Sequence, residues 1–216
     1  MGTDPTLSER IYDELYRDIT RRRLKCGQNL TLNMLKEHFN VSHTPIREAL
    51  TRLAADGLVS YSTNKGMKVI EFSEVEIREI FQFTAELETV AIKLCSNSFT
   101  LAPLTSELEH IIQEESEALK TGDIKRWESV AGKFHELFFT YSGNRYLVEA
   151  SHRMGARMEL MSNIYSKEER FTTIHQRHSE IYNAIKDRDF DKACDLVHAH
   201  LQFSMVDALQ GYKEEC

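Results

Sequence analysis

The run "VSHTPIREALTRLAADGLVSYSTNKGMKVIEF" (41–72) constrains the fold more than any other part of the chain. Ser42 or Thr44 can cap a helix, and Pro45 is tolerated in a first turn whose amides lack intrahelical acceptors. Ile46, Ala49, Leu50 and Leu53 then recur at helical spacing, leaving Arg47, Glu48, Thr51 and Arg52 off the apolar stripe. Asp56-Gly57 stops the helix. Two short alternating segments follow, 58–61 and 67–70, around "TNKG", where Asn64 and Gly66 suit a turn needing positive φ. Taken alone, the helix would suit a solvated surface with Arg47 as an ordinary surface charge. The hairpin directly after it calls for something more specific.

Upstream, "LSERIYDELYRDITRRRL" places Leu7, Ile11, Leu15 and Ile19 near a four-residue repeat, predicting an amphipathic helix ended by the glycine of "KCGQNL". A second, short helix is expected over "TLNMLKEHF" (31–39), with Leu32, Leu35 and Phe39 inward, before "NVSH" turns the chain. Three helices and a two-stranded hairpin make a winged helix-turn-helix, whose third helix lies in the DNA major groove with its N-terminal residues at the base edges. Arg47, one turn in, is placed to fork onto guanine. Ser42 and Thr44 can hydrogen-bond phosphates, and the wing tip of Asn64, Lys65 and Gly66 can approach the backbone or minor groove.

An acidic chain is a poor partner for DNA until the charge is divided. The 216 residues carry a formal charge of −7. Residues 1–72 hold 11 Lys and Arg against 9 Asp and Glu, whereas the remainder holds 16 against 25. The excess acid therefore belongs to the second part, and phosphate binding depends on the local field of the first. With three prolines, nine glycines and few strand-like runs, the chain is expected to be mainly α. No apolar run approaches the roughly 20 residues that span a bilayer, and the first residues lack a signal-peptide pattern. A cytoplasmic protein without membrane partners is the expectation. Cys26, Cys95, Cys194 and Cys216 have no paired spacing, which predicts reduced thiols.

The segment "CGQNLTLNMLKEHFNVSHTPIREALTRLAADGLVSYSTNKGMKV" resembles the DNA-binding domain of the GntR family of bacterial transcription regulators. The resemblance carries DNA contacts to Ser42, His43, Thr44, Arg47, Lys65 and Gly66. His43 stands where the family usually has arginine, and the arginine common near Asn33 is also missing. A shortage of fixed cations there implies weaker phosphate affinity or a shifted base preference.

From "FSEVEIREIF" onward, Ser73 and Glu76 have capping-box spacing, and apolar stripes separated by "TGD", "SGN" and "DRD" predict six helices in an antiparallel bundle. Pro103 is expected to start the second of them. The boundaries implied are 1–72 for a DNA-binding domain and 73–216 for a helical effector-binding and dimerisation domain. The second part resembles, through "FHELFFTYSGNRYL", "HSEIYNAIKDRD" and "ACDLVHAHL", the FCD domain of the FadR subgroup of GntR regulators.

That resemblance implies a divalent metal (zinc, nickel or manganese) held by His135, His178 and His200, with an open position for water or a carboxylate effector. The family's aspartate, four before His135, is Ala131 here. The arginine often found four before the position of Glu88 is Thr84. Glu128 lies two turns from His135, a doubtful substitute. The effector pocket is thus expected near Thr84, Glu128 and Ala131, for a small organic acid. The alternative is a metal-independent regulator with an apolar effector pocket, for which Phe81, Phe138 and Tyr165 are candidate lining residues; a structural nucleic-acid-binding protein without ligand would leave the histidines as packing. The whole implies a ligand-responsive regulator, in the commoner family mode a repressor, binding a near-palindromic operator as a homodimer. A metal hydrolase using Glu128 as base would leave the winged part unexplained, so no enzyme is expected.

Overall fold

The computed structural model describes residues 5–62, 66–96, 98–165 and 170–215. They divide into two compact units, 1–73 with 156–164, and 74–155 with 165–216.

In the first unit, α1 (Leu7–Thr20) opens with a capping box, in which Thr6 and Glu9 satisfy each other's backbone amides. Its buried stripe of Ile11, Leu15 and Ile19 packs on α3 (His43–Ala55) through Ile46, Ala49, Leu50 and Leu53. The helix ends earlier than the sequence suggests. Its cap is Arg21, followed by Arg22 at φ +59°, and the Leu24 amide closes onto the Asp18 carbonyl at 2.9 Å. Gly27, at φ +77°, instead serves the approach to β1 (Asn29–Leu30). After α2 (Leu32–Phe39), Asn40 takes the left-handed conformation at φ +52°, which turns the chain into α3.

The wing is a three-stranded antiparallel sheet in the order β1-β3-β2, with β2 at Val59–Ser62 and β3 at Gly66–Val69. A two-stranded hairpin is expected from sequence; β1 adds to it by pairing Leu30 with Met67. Residues 63–65, including Lys65, lie outside the described residues. The stretch 156–164 also belongs to this unit. There Glu159 accepts from the Tyr16 hydroxyl, the Asn163 amide donates to the Thr20 carbonyl at 2.7 Å, and the Arg157 guanidinium lies 5.5 Å from the Phe72 ring centroid.

The second unit is an antiparallel bundle of six described helices: α4 (Glu74–Leu94), α5 (Ser98–Thr121), α6 (Ile124–Tyr141), α7 (Arg145–Tyr165, of which 156–164 cluster with the first unit), α8 (Phe171–Lys186) and α9 (Phe190–Glu215). Helix α4 packs against α9 and α6, α5 against α6 and α8, and α8 against α9. The polar connections do what their residue types predict. Asp123 caps α6 by accepting from the Arg126 amide, Asn144 accepts from the Tyr146 and Leu147 amides, and Asp189 accepts from the Lys192 amide. Pro103 does not start α5 but lies inside it, five residues after Ser98. Proline removes one backbone bond near the helix start, while burial of Leu101 and Leu104 on either side holds the turn. No helix among the described residues is long and apolar enough to cross a membrane.

Candidate nucleic-acid interface and metal centre

The N-terminal end of α3 presents exposed polar and charged side chains. Ser42 is exposed, has extended backbone geometry, and makes no capping hydrogen bond with its own helix. Thr44 and Arg47 are exposed, and the Arg47 guanidinium makes no hydrogen bond or ion pair among the described residues. First-turn amides and the helix dipole favour an anion here. Arg52, by contrast, is committed to the fold. Its guanidinium lies 4.3 Å from the Tyr12 ring centroid, and the Tyr12 hydroxyl donates to Asp56 at 2.6 Å. Burial and that hydrogen bond raise the Tyr12 phenol above its ordinary value. His43 is half-buried, and its Nε2 is buried without a hydrogen-bond partner.

Gly66 opens β3 at φ +86°, and an added Cβ would stand 3.0 Å from the Leu30 carbonyl oxygen. Only glycine fits both the backbone and the gap. Gly66→Ala is expected to cost roughly 1–2 kcal/mol from the left-handed conformation alone, read as a lower urea midpoint. Because the strain sits in the wing, operator affinity should fall with it.

In the bundle, α6, α8 and α9 bring His135, His178 and His200 to one point. One ring nitrogen from each lies within 4.8 Å of the others. The rings of His135 and His200 stack at 5.2 Å, and His178 stacks on Phe134 at 4.1 Å. Two carboxylates from other helices grip this set. Glu88 of α4 accepts from His135 Nδ1 at 2.9 Å. Glu115 of α5 accepts from His178 Nδ1 at 2.7 Å and from His175 Nδ1 at 3.0 Å. Both carboxylates are almost wholly buried. With Nδ1 of His135 and His178 engaged, the second nitrogen of each of these two is left for another partner. His178 Nε2 and His200 Nδ1 are buried without one.

These orphaned nitrogens are the observation against which a metal is judged. Three converging imidazoles, two of them with a carboxylate on Nδ1, suit a borderline divalent ion, and they suit it while neutral. Burial pushes His178 down from its ordinary value despite Glu115. Burial, then the neighbouring His178 and His135, push His200 well down. For His135 burial acts in the same sense, but the charge and hydrogen bond of Glu88 outweigh it and the net direction is up. Glu115 is buried, which alone would raise it; His178 and His175 hold it down at about 2, so it remains a carboxylate.

The stability consequence has a definite sign. An unfolded histidine takes its proton near pH 6.5, whereas folded His178 and His200 resist it. Below that pH the unfolded state binds more protons, and stability falls by about 1.4 kcal/mol per pH unit for each proton withheld. His135, with its raised value, offsets part of this. The melting temperature of metal-free protein is therefore expected to drop between pH 7 and 5.5.

Of the remaining residues singled out by sequence, Thr84 is buried with its hydroxyl lacking a hydrogen-bond partner. Ala131 packs with Ala118, Trp127 and Phe171, and Glu128 is exposed on α6. Phe138 lies beside His135, with its ring edge-on at 6.5 Å, whereas Tyr165 contacts Tyr212. A separate open groove on α4 and α9 is lined by Phe81, Phe83, Leu201 and Met205.

The bundle geometry has counterparts. Residues 79–203 match the FCD domain, and residues 7–69 match the gntR family of bacterial regulatory proteins. The chain belongs to the GntR family and carries an FCD domain; it is a DNA-binding transcription regulator and not an enzyme. It is 28% identical over 195 residues to the uncharacterized HTH-type transcriptional regulator YdhC of Bacillus subtilis, covering 88% of this chain and 85% of that one. It is 26% identical over 204 residues to the HTH-type transcriptional repressor GlaR of Escherichia coli, covering 88% and 90%. The fold superimposes on Escherichia coli McbR/YncC with a TM-score of 0.78 at 23% identity, over 97% of this chain and all of the other.

Proposed function

We propose that the chain is a ligand-responsive repressor of the FadR subgroup, acting in the cytoplasm, which binds a near-palindromic operator as a homodimer. Residues 1–72 read DNA and residues 73–216 bind the effector and dimerise. Arg47 reads a base edge, Ser42, His43 and Thr44 hold the phosphates beside it, and Lys65 and Gly66 bring the wing to the backbone. Repression follows the behaviour named for GlaR.

Three converging imidazoles, two of them with an orphaned buried nitrogen, carry the effector half of this reading. His135, His178 and His200 hold a divalent metal such as zinc, nickel or manganese. The ion supplies a Lewis-acidic position to which a small organic acid can bind. Thr84, with its unpartnered hydroxyl, is the polar group we assign to that ligand, while Ala131 supplies no carboxylate to the ion. The dimer uses α4, where Val75, Phe83, Val90 and Leu94 recur at helical spacing and are 43–62% exposed. The groove lined by Phe81 and Leu201 favours a second reading, an apolar effector acting without metal.

Operator affinity measured by fluorescence anisotropy, on metal-stripped and metal-loaded protein with and without organic acids, separates these readings. The proposal expects the acid to change operator affinity only when metal is present. By linkage, an acid that weakens operator binding must itself bind less tightly to the DNA-bound dimer. A response that survives metal removal favours the apolar groove.

A further inference from the structure

Glu115 has no part in the ligand set, yet it is wholly buried and saturated by two imidazoles from another helix. Its neighbours on the inner stripe of α5 are Leu108, Ile111 and Ala118, all buried. Placing a charged group on that stripe is costly unless it is paired and hydrogen-bonded. Each carboxylate oxygen takes one N–H: Oε1 from His178 Nδ1 and Oε2 from His175 Nδ1. The carboxylate thus fixes the proton of His178 on Nδ1, which leaves Nε2 as the lone-pair nitrogen. That nitrogen is the buried one lacking a partner. His175 braces the carboxylate from its other side, so that it cannot rotate away.

We propose that Glu115 is a positioning residue of the histidine centre. It locks His178 in the tautomer that presents Nε2 to a divalent metal, and its negative charge partly balances the ion. The inference rests on the metal reading above and assigns a role to a residue outside the three ligands. It also makes His175 part of the centre, as the group that holds Glu115 in place. Outer-shell partners of this kind raise ligand basicity and restrict ring orientation, and their loss typically costs about 10–100-fold in metal affinity.

The test uses the full chain and two independent readouts. Long-range proton–nitrogen NMR correlations on metal-free protein report the imidazole tautomers directly. Competition against a chromophoric chelator gives the affinity for zinc. Wild type should show His178 protonated on Nδ1, and Glu115→Gln should mix the two tautomers and weaken zinc by about 10–100-fold. Glu115→Asp, which keeps the charge, should recover part of that loss. A wild-type His178 protonated on Nε2 would overturn the assignment without any variant being needed, as would unchanged tautomer and affinity in Glu115→Gln. Wild-type protein that binds no zinc, nickel or manganese overturns the metal reading itself, whatever the tautomer of His178.

Discussion

Arg47→Ala is expected to lower operator affinity by about 1–3 kcal/mol per half-site, the worth of a bidentate arginine–guanine pair. In a two-fold complex both half-sites are affected, so the total is roughly 2–6 kcal/mol. The loss should be one of discrimination. Affinity for random duplex, which phosphate contacts govern, should change little, and the slope of log affinity against log salt should fall by less than the loss of a phosphate-binding lysine would cause. Folding should be untouched, because Arg47 is exposed and its guanidinium has no partner among the described residues. Arg52→Ala makes the contrast. It removes the guanidinium from the Tyr12 ring and should lower the melting temperature, with any loss of DNA binding following from that. Anisotropy titrations on cognate and scrambled duplexes, beside thermal melts, check both variants.

His200→Leu should have an equally large effect on the other half of the protein. It removes one of three nitrogens that converge within 4.8 Å, so metal affinity should fall by more than the roughly 10–100-fold attached to an outer-shell partner. The metal-free protein should be as stable as wild type or more so. His200 is buried with its Nδ1 unpartnered, and an apolar side chain of similar size relieves that penalty. The pH dependence supplies an internal control. His200 is the most strongly depressed imidazole of the three, so its removal should flatten the loss of stability between pH 7 and 5.5. Metal-dependent shifts in melting temperature, recorded across that range for both proteins, give all three quantities.

Much of this arrangement was legible because local rules wrote it. Helical spacing marked the stripes of α1 and α3, and Asp123, Asn144 and Asp189 announced the helix starts they cap. The elements that escaped are those without a local signature. Strand β1 is two residues long, too short for any alternation, and exists only because β3 offers an edge to it. The end of α1 was obscured because Arg22, rather than a glycine, takes the left-handed position. Nothing in the spacing of α7 marks residues 156–164 as neighbours of Tyr16 and Phe72.

The same division holds at the histidine centre. The three imidazoles could be named through family resemblance, but Glu115 could not, since its partner His178 lies 63 residues away. One signal was available: Glu115 falls in register with Leu108, Ile111 and Ala118, where an unpaired carboxylate would be too costly to bury. A charged residue on an inner stripe implies a buried partner, although spacing alone does not say which.

Enrichment of duplexes from a random pool by the purified protein at low salt tests the placement of α3 most directly. The expected product is a two-fold-symmetric motif whose half-sites lie one helical turn apart or a multiple of it, about 10–10.5 base pairs centre to centre, with guanine at the position lost in Arg47→Ala. A pool that emerges with no motif, or the same motif selected by Arg47→Ala, would contradict the reading of this helix as the element that recognises sequence.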